Sequence, residues 1–144
     1  MGTKKAKYAS ISFEMDDSTM AFVKQFPQIM EGAKELAVES MGRVWSDGAK
    51  AITRSDHHID TAAYINSIGY AGNDVGPNGS DVGTVIHNLL SEGSKTKLEI
   101  GSGVIYAKPL EKRFNIFARA LDSELDGMEK QGQNTIKQYL KNRL

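Results

Sequence analysis

Lys97-Leu98-Glu99-Ile100-Gly101-Ser102-Gly103-Val104-Ile105-Tyr106-Ala107 is the stretch that settles the fold class of this chain. Leu98 and Ile100, then Val104 and Tyr106, recur at the two-residue period of a half-buried strand, which predicts two strands. Gly101-Ser102-Gly103 between them predicts a tight hairpin turn, and therefore an antiparallel sheet. Upstream, Ile11, Phe13 and Met15 alternate with Ser10, Ser12 and Glu14, predicting a short first strand. In Asp60-Thr61-Ala62-Ala63-Tyr64-Ile65-Asn66-Ser67-Ile68 the residues Thr61 to Ile65 predict a turn, with a strand following through Ser67, Ile68, Gly69, Tyr70 and Ala71.

Long helical segments bracket this middle. Phe22, Phe26, Ile29, Met30, Ala33, Leu36, Ala37, Met41, Val44, Trp45 and Ile52 fall at three- and four-residue spacing, an apolar stripe that reads as core rather than as a cofactor box. Pro27 divides the stripe into a short helix over 18–25, capped by Asp16, Asp17 and Ser18, and a long one over 27–54. Gly32, Gly42 and Gly48 weaken that helix but permit close packing. Leu110, Phe114, Phe117, Leu121, Leu125, Met128, Ile136, Tyr139 and Leu140 predict a second long helix over 109–142, with a bend or break at Gly127 and Gly132. Gly72, Gly76, Gly79 and Gly83 make 72–83 a loop. Beyond it, Val82, Val85, Ile86, Leu89 and Leu90 predict a short helix over 82–91, capped by Ser80 or Asp81 and ended by Gly93.

The expected architecture is thus α+β: a small antiparallel β-sheet packed against two long α-helices, one N-terminal and one C-terminal, with a short extra helix in a long glycine-rich insertion. Residues 1–7 read as a flexible basic arm, and 8–144 as a single α+β domain with a protruding loop over 72–93. A chain of 144 residues fits one domain. Eighteen basic and 18 acidic residues cancel, so the overall charge is not that of a nucleic-acid binder. Cysteine is absent, which excludes disulfides, thiolate metal sites and cysteine nucleophiles. No signal peptide and no membrane-spanning run are read, which implies a soluble chain.

Candidate chemistry is sparse. Asp56-His57-His58-Ile59-Asp60 has metal-ligand residue types, but adjacent histidines project differently and nothing links His87 to them, so a polar helix end is the expected reading. Ser67, His87 and the aspartates lack a hydrolase context, and Gly101-Ser102-Gly103 lacks the lysine and following helix of a phosphate loop. Asp16-Asp17 needs no metal to explain it beyond a helix cap. Tyr8, Phe13, Tyr64 and Tyr70 offer stacking surfaces for single-stranded nucleic acid without a basic groove beside them. No catalytic residue, cofactor or metal site is expected.

Three short blocks then carry a family resemblance. Thr61 with Ser67-Ile68, Tyr106-Ala107 with Glu111, and Phe117-Ala118-Arg119-Ala120 resemble, in order, the motifs of the tail-component family of lambdoid siphophages. Ala62 stands where that family carries glycine, Tyr64 where it carries leucine, and Lys112-Arg113 where glycine is usual; 72–93 resembles an insertion. The resemblance implies a non-catalytic virion protein of the neck or tail, active in tail completion or head-tail joining. It further implies a ring, a hexamer, that contacts a neck or head-completion protein and a tail-tube or tail-terminator protein. Such a protein is made in the host bacterial cytoplasm and ends in the virion, contacts no membrane, and meets nucleic acid only as the genome passes through the ring. The interaction residues expected on this reading are Lys4, Lys5 and Lys7 of the arm, Asp74, Asn78 and Asp81 of the loop, and Tyr106, Glu111 and Arg113. Two alternatives remain beside it: a small nucleic-acid-associated module using Lys4, Lys5, Lys7, Lys137, Lys141 and Arg143, and a metal-dependent enzyme at His57 and His58.

Overall fold

A computed structural model describes residues 8–16, 27–56 and 59–143. The alternating Ile11, Phe13 and Met15 do form a strand, β1 (Ala9–Asp16), which pairs antiparallel with β3 (Lys95–Ser102) along its whole length. The other side of β3 pairs antiparallel with β2 (Val85–Glu92), giving the order β1-β3-β2. As the central strand β3 shows the cleanest alternation, with Thr96, Leu98 and Ile100 buried and Lys95 and Lys97 exposed. One face of the sheet is covered by α1 (Pro27–Ser55), α3 (Ile116–Arg143) packs along α1, and α2 (Ala107–Phe114) links β3 to α3. The expected α+β class, a small antiparallel sheet against two long helices, is what the chain adopts.

The helices run antiparallel: Trp45 meets Phe117, Gly48 lies beside Glu124, Met41 beside Gly132, and Gly32 beside Tyr139. Trp45 sits edge-to-face on Phe117 at 5.0 Å and its indole N–H donates to the Phe117 carbonyl at 3.1 Å. On the sheet side, a side chain at Gly42 would collide with Leu98, so this glycine sets how closely α1 approaches β3. Among the described residues no helix is long and apolar enough to cross a membrane.

Four expectations are corrected. Gly101-Ser102-Gly103 is not a turn, and Val104-Ile105-Tyr106 is not a strand. Instead β3 continues through Ser102, and a side chain at Gly101 would run into the Ala9 carbonyl of β1, so this glycine serves a close strand contact. The hairpin turn lies at Gly93-Ser94, where Gly93 takes φ +58 as the first residue of a two-residue loop requires. Second, 82–91 is not helical. Val85, His87, Leu89 and Ser91 pair on the helix-facing side of β2, and Leu89 and Leu90 imitate helical spacing because an edge strand leaves both partly exposed.

Third, Ser67 to Ala71 forms no strand: a 3-10 turn at Ile65–Ser67 leads into bends, and the Gly69 N–H donates to the Gly101 carbonyl at 2.9 Å. Fourth, the C-terminal helix breaks at Asn115 and runs unbroken through Gly127 and Gly132. Asn115 takes the left-handed conformation (φ 54), which asparagine tolerates. The short helix over 18–25 and the cap residues Asp17 and Ser18 lie outside the described residues; Asp16 ends β1 opposite Lys95.

Candidate interaction surface

The segment between α1 and β2 is pinned to the body by one buried amide. Asn66 donates from Nδ2 to the carbonyls of Asp74 and Asp81, both at 2.9 Å, and its Oδ1 accepts the Asp74 N–H at 2.7 Å. Both side-chain donors and the acceptor are thereby used. Further along, the Asn78 N–H donates to the Asp60 carbonyl at 3.1 Å, the Asp81 N–H to Thr61 at 2.8 Å, and the Gly83 N–H to Ala63 at 3.0 Å. Arg54 clasps the Asp74 carboxylate through Nε (2.6 Å) and a terminal nitrogen (2.9 Å), and this hydrogen bonding holds the Asp74 pKa below the usual carboxylate range. Asp74, Asn78 and Asp81 therefore fasten the loop to 60–66. The Asn78 side-chain amide also meets the Asp60 carboxylate.

Below the loop lies an aromatic knot. Tyr64 stacks parallel to Phe117 at 6.4 Å and leans on Tyr106 at 6.3 Å. Glu111, one turn into α2, accepts the Phe117 N–H at 2.7 Å and the Ala118 N–H at 3.4 Å. It thus caps α3, where free amides and the positive dipole end favour a carboxylate. Asn115 makes this possible, because its left-handed turn re-aims the chain so that α3 starts within reach of α2. Arg113 lies 5.2 Å from the Phe114 ring, and Tyr106 remains exposed. Ala62 takes φ +69, a conformation that favours glycine.

Beside the knot Ile59, Asp60, Thr61, Ala62, Tyr64, Tyr106 and Leu110 line a cleft of about 410 Å³. Burial, then the Glu111 charge and Tyr106, push the Tyr64 pKa above its ordinary value. A second cleft of about 580 Å³, bounded by Tyr8, Ser10, Glu99, Lys108, Glu111 and Lys112, mixes both charge signs.

At the β2 end of the helix-covered face His87 Nε2 lies 2.7 Å from the Glu39 carboxylate and Nδ1 lies 3.1 Å from the Gly69 carbonyl, with the ring against Tyr70. This seam joins β2 to α1, as does the Ser91 hydroxyl donating to Glu35 at 2.9 Å. Among the described residues, no group of three histidine or carboxylate residues could hold a metal ion. Lys4, Lys5, Lys7, His57 and His58 lie outside the described residues. Lys137, Lys141 and Arg143 are exposed along the last turns of α3, with Arg143 stacked 3.7 Å over Tyr139.

Sequence reading therefore found Tyr106 and Glu111 at the knot but missed Asn66, the hinge of the loop. Its signal is a lone amide in the otherwise apolar and small-residue run Ala62 to Ile68, where a buried polar group must be fully bonded. No protein-family model, curated protein or solved structure matches the chain.

Proposed function

We propose that the chain is a non-catalytic structural protein of a phage virion, a tail-completion or head-tail joining adaptor that works as a ring of identical subunits. One observation carries the reading. The three blocks that resemble the siphophage tail-component family are far apart in sequence, yet the segments that hold them meet in a single cluster: Tyr64, inside the first block at the position where the family carries leucine, contacts Tyr106 of the second and Phe117 of the third, and Glu111 caps the helix that begins with the third. Residues selected together for one packing unit behave this way. The left-handed backbone at Ala62, where the family pattern carries glycine, supports it further.

Ring formation also suits the sheet. Among the described residues neither β1 nor β2 has a strand on its outer side, so each presents unpaired backbone groups to a neighbouring copy. The deciding experiment measures mass by light scattering across a concentration series, then asks whether the tagged chain co-sediments with assembled phage tails. A closed oligomer that enters the particle is expected. A chain that stays monomeric throughout and is absent from particles overturns the reading.

A further inference from the structure

The cleft beside Tyr64 has chemistry that the adaptor reading does not use. Ile59, Ala62, Tyr64, Tyr106 and Leu110 give it apolar and aromatic walls, and Asp60 is the charged residue among those lining it. One Asp60 oxygen takes the Asn78 amide, and the other faces no partner that would neutralise it among the described hydrogen bonds. Tyr64 itself is 2% exposed, and its hydroxyl is the buried side-chain polar atom left without a hydrogen-bond partner among the described residues. An unpaired buried hydroxyl is costly, so its retention calls for a reason outside the fold.

We propose that this cleft docks an arginine side chain of a partner polypeptide, its guanidinium lying against the Tyr106 ring and donating to the Tyr64 hydroxyl oxygen and the Asp60 carboxylate. A guanidinium has five donors, no acceptor, and a flat face that stacks on aromatic rings. The cleft supplies the complement: two oxygens to accept, an aromatic wall, and apolar surface for the methylene stem. A neutral apolar side chain would fill the walls but leave Asp60 desolvated and the hydroxyl unpaired. An anion would meet Asp60 and the nearby charge of Glu111. Since the hydroxyl is covered in the free chain, the proposed docking requires the neighbouring Tyr106 ring, which is 42% exposed, to turn aside. None of this depends on the partner being a virion protein.

The test uses the isotope-labelled full chain titrated with the peptide acetyl-Gly-Arg-Gly-amide, and in parallel with the same peptide carrying norleucine for arginine. Amide shifts should cluster at Asp60 to Tyr64, Tyr106 and Leu110 and saturate in the millimolar range, with the norleucine peptide at least several-fold weaker. Tyr64→Phe should raise the midpoint of thermal unfolding of the free chain while weakening the arginine peptide about tenfold, the value of one charge-assisted hydrogen bond. Asp60→Asn keeps an acceptor for Asn78 and should weaken the peptide by a similar factor. Shifts elsewhere, equal affinity for norleucine, an unchanged affinity in either variant, or a lower unfolding midpoint for Tyr64→Phe would each overturn the assignment. All readouts come from the isolated chain, so failure here and failure of ring assembly are separate results.

Discussion

Ala62 sits at φ +69 and is buried, a conformation that costs an L-residue with a Cβ about 1–2 kcal/mol. Glycine relieves this but gives back part of the gain, about 0.4–1 kcal/mol, through its freer unfolded chain. Ala62→Gly is therefore expected to stabilise by about 0.5–1 kcal/mol, read as a higher urea midpoint at constant slope. Asn66 is the opposite case. Asn66→Ala strands the Asp74 N–H and the Asp74 and Asp81 carbonyls, and should cost about 3 kcal/mol while exposing 72–83 to limited proteolysis. Ionisation gives a third residue-scale outcome. Burial, then the Glu39 charge, pushes Tyr70 up to about 12, and burial raises Tyr64 as well. A folded pKa above the unfolded value of about 10 means this stability is fully present below pH ~10 and is lost as pH rises through the folded values. Urea midpoints between pH 9 and 12 should fall accordingly, and Tyr70→Phe should flatten the fall.

Elements differ in how plainly their residues announce them. The long helix α1 is legible because Pro27 can open a helix without wasting a donor and an apolar stripe then persists to Ile52, largely buried although Leu36 is exposed. Edge strand β2 is not legible, since among the described residues its outer side has no strand beside it, and Leu89 and Leu90, on opposite faces, are both partly exposed. Gly101 misleads for a different reason: glycine marks both turns and tight strand approaches, and only the partner strand distinguishes them. At the candidate site, Tyr106 and Glu111 were visible as motif residues, but the job of Glu111 depends on Asn115 reversing the chain, a tertiary fact. Glu111→Ala should accordingly destabilise by about 1–2 kcal/mol through the lost cap of α3, and Glu111→Gln by less, because the amide keeps one acceptor without the charge. Equal losses in the two variants would assign the effect to packing instead of capping.

On the scale of the whole molecule, the proposed ring would place stability and assembly in different layers, and two substitutions separate them. Trp45 is fully buried between α1 and α3, so Trp45→Ala should cost about 3–5 kcal/mol and abolish assembly only because the subunit unfolds. Leu90, 55% exposed on the outer edge strand, contributes little to the core, and Leu90→Lys should change subunit stability by no more than about 0.5 kcal/mol. If the proposed ring forms through the sheet edges, its effect should fall on the contact between copies. Both β1 and β2 run antiparallel to β3 and hence parallel to each other, so when subunits follow one another head to tail around an axis, β2 of one copy meets β1 of the next in the same direction. A lysine at the middle of that edge places an ammonium where strands must close, the device by which edge strands resist pairing. Light scattering should then report a folded monomer for Leu90→Lys at concentrations where the unmodified chain is oligomeric. An intact oligomer with Leu90→Lys would move the ring contact off the β2 edge and onto the helices or the knot around Tyr64.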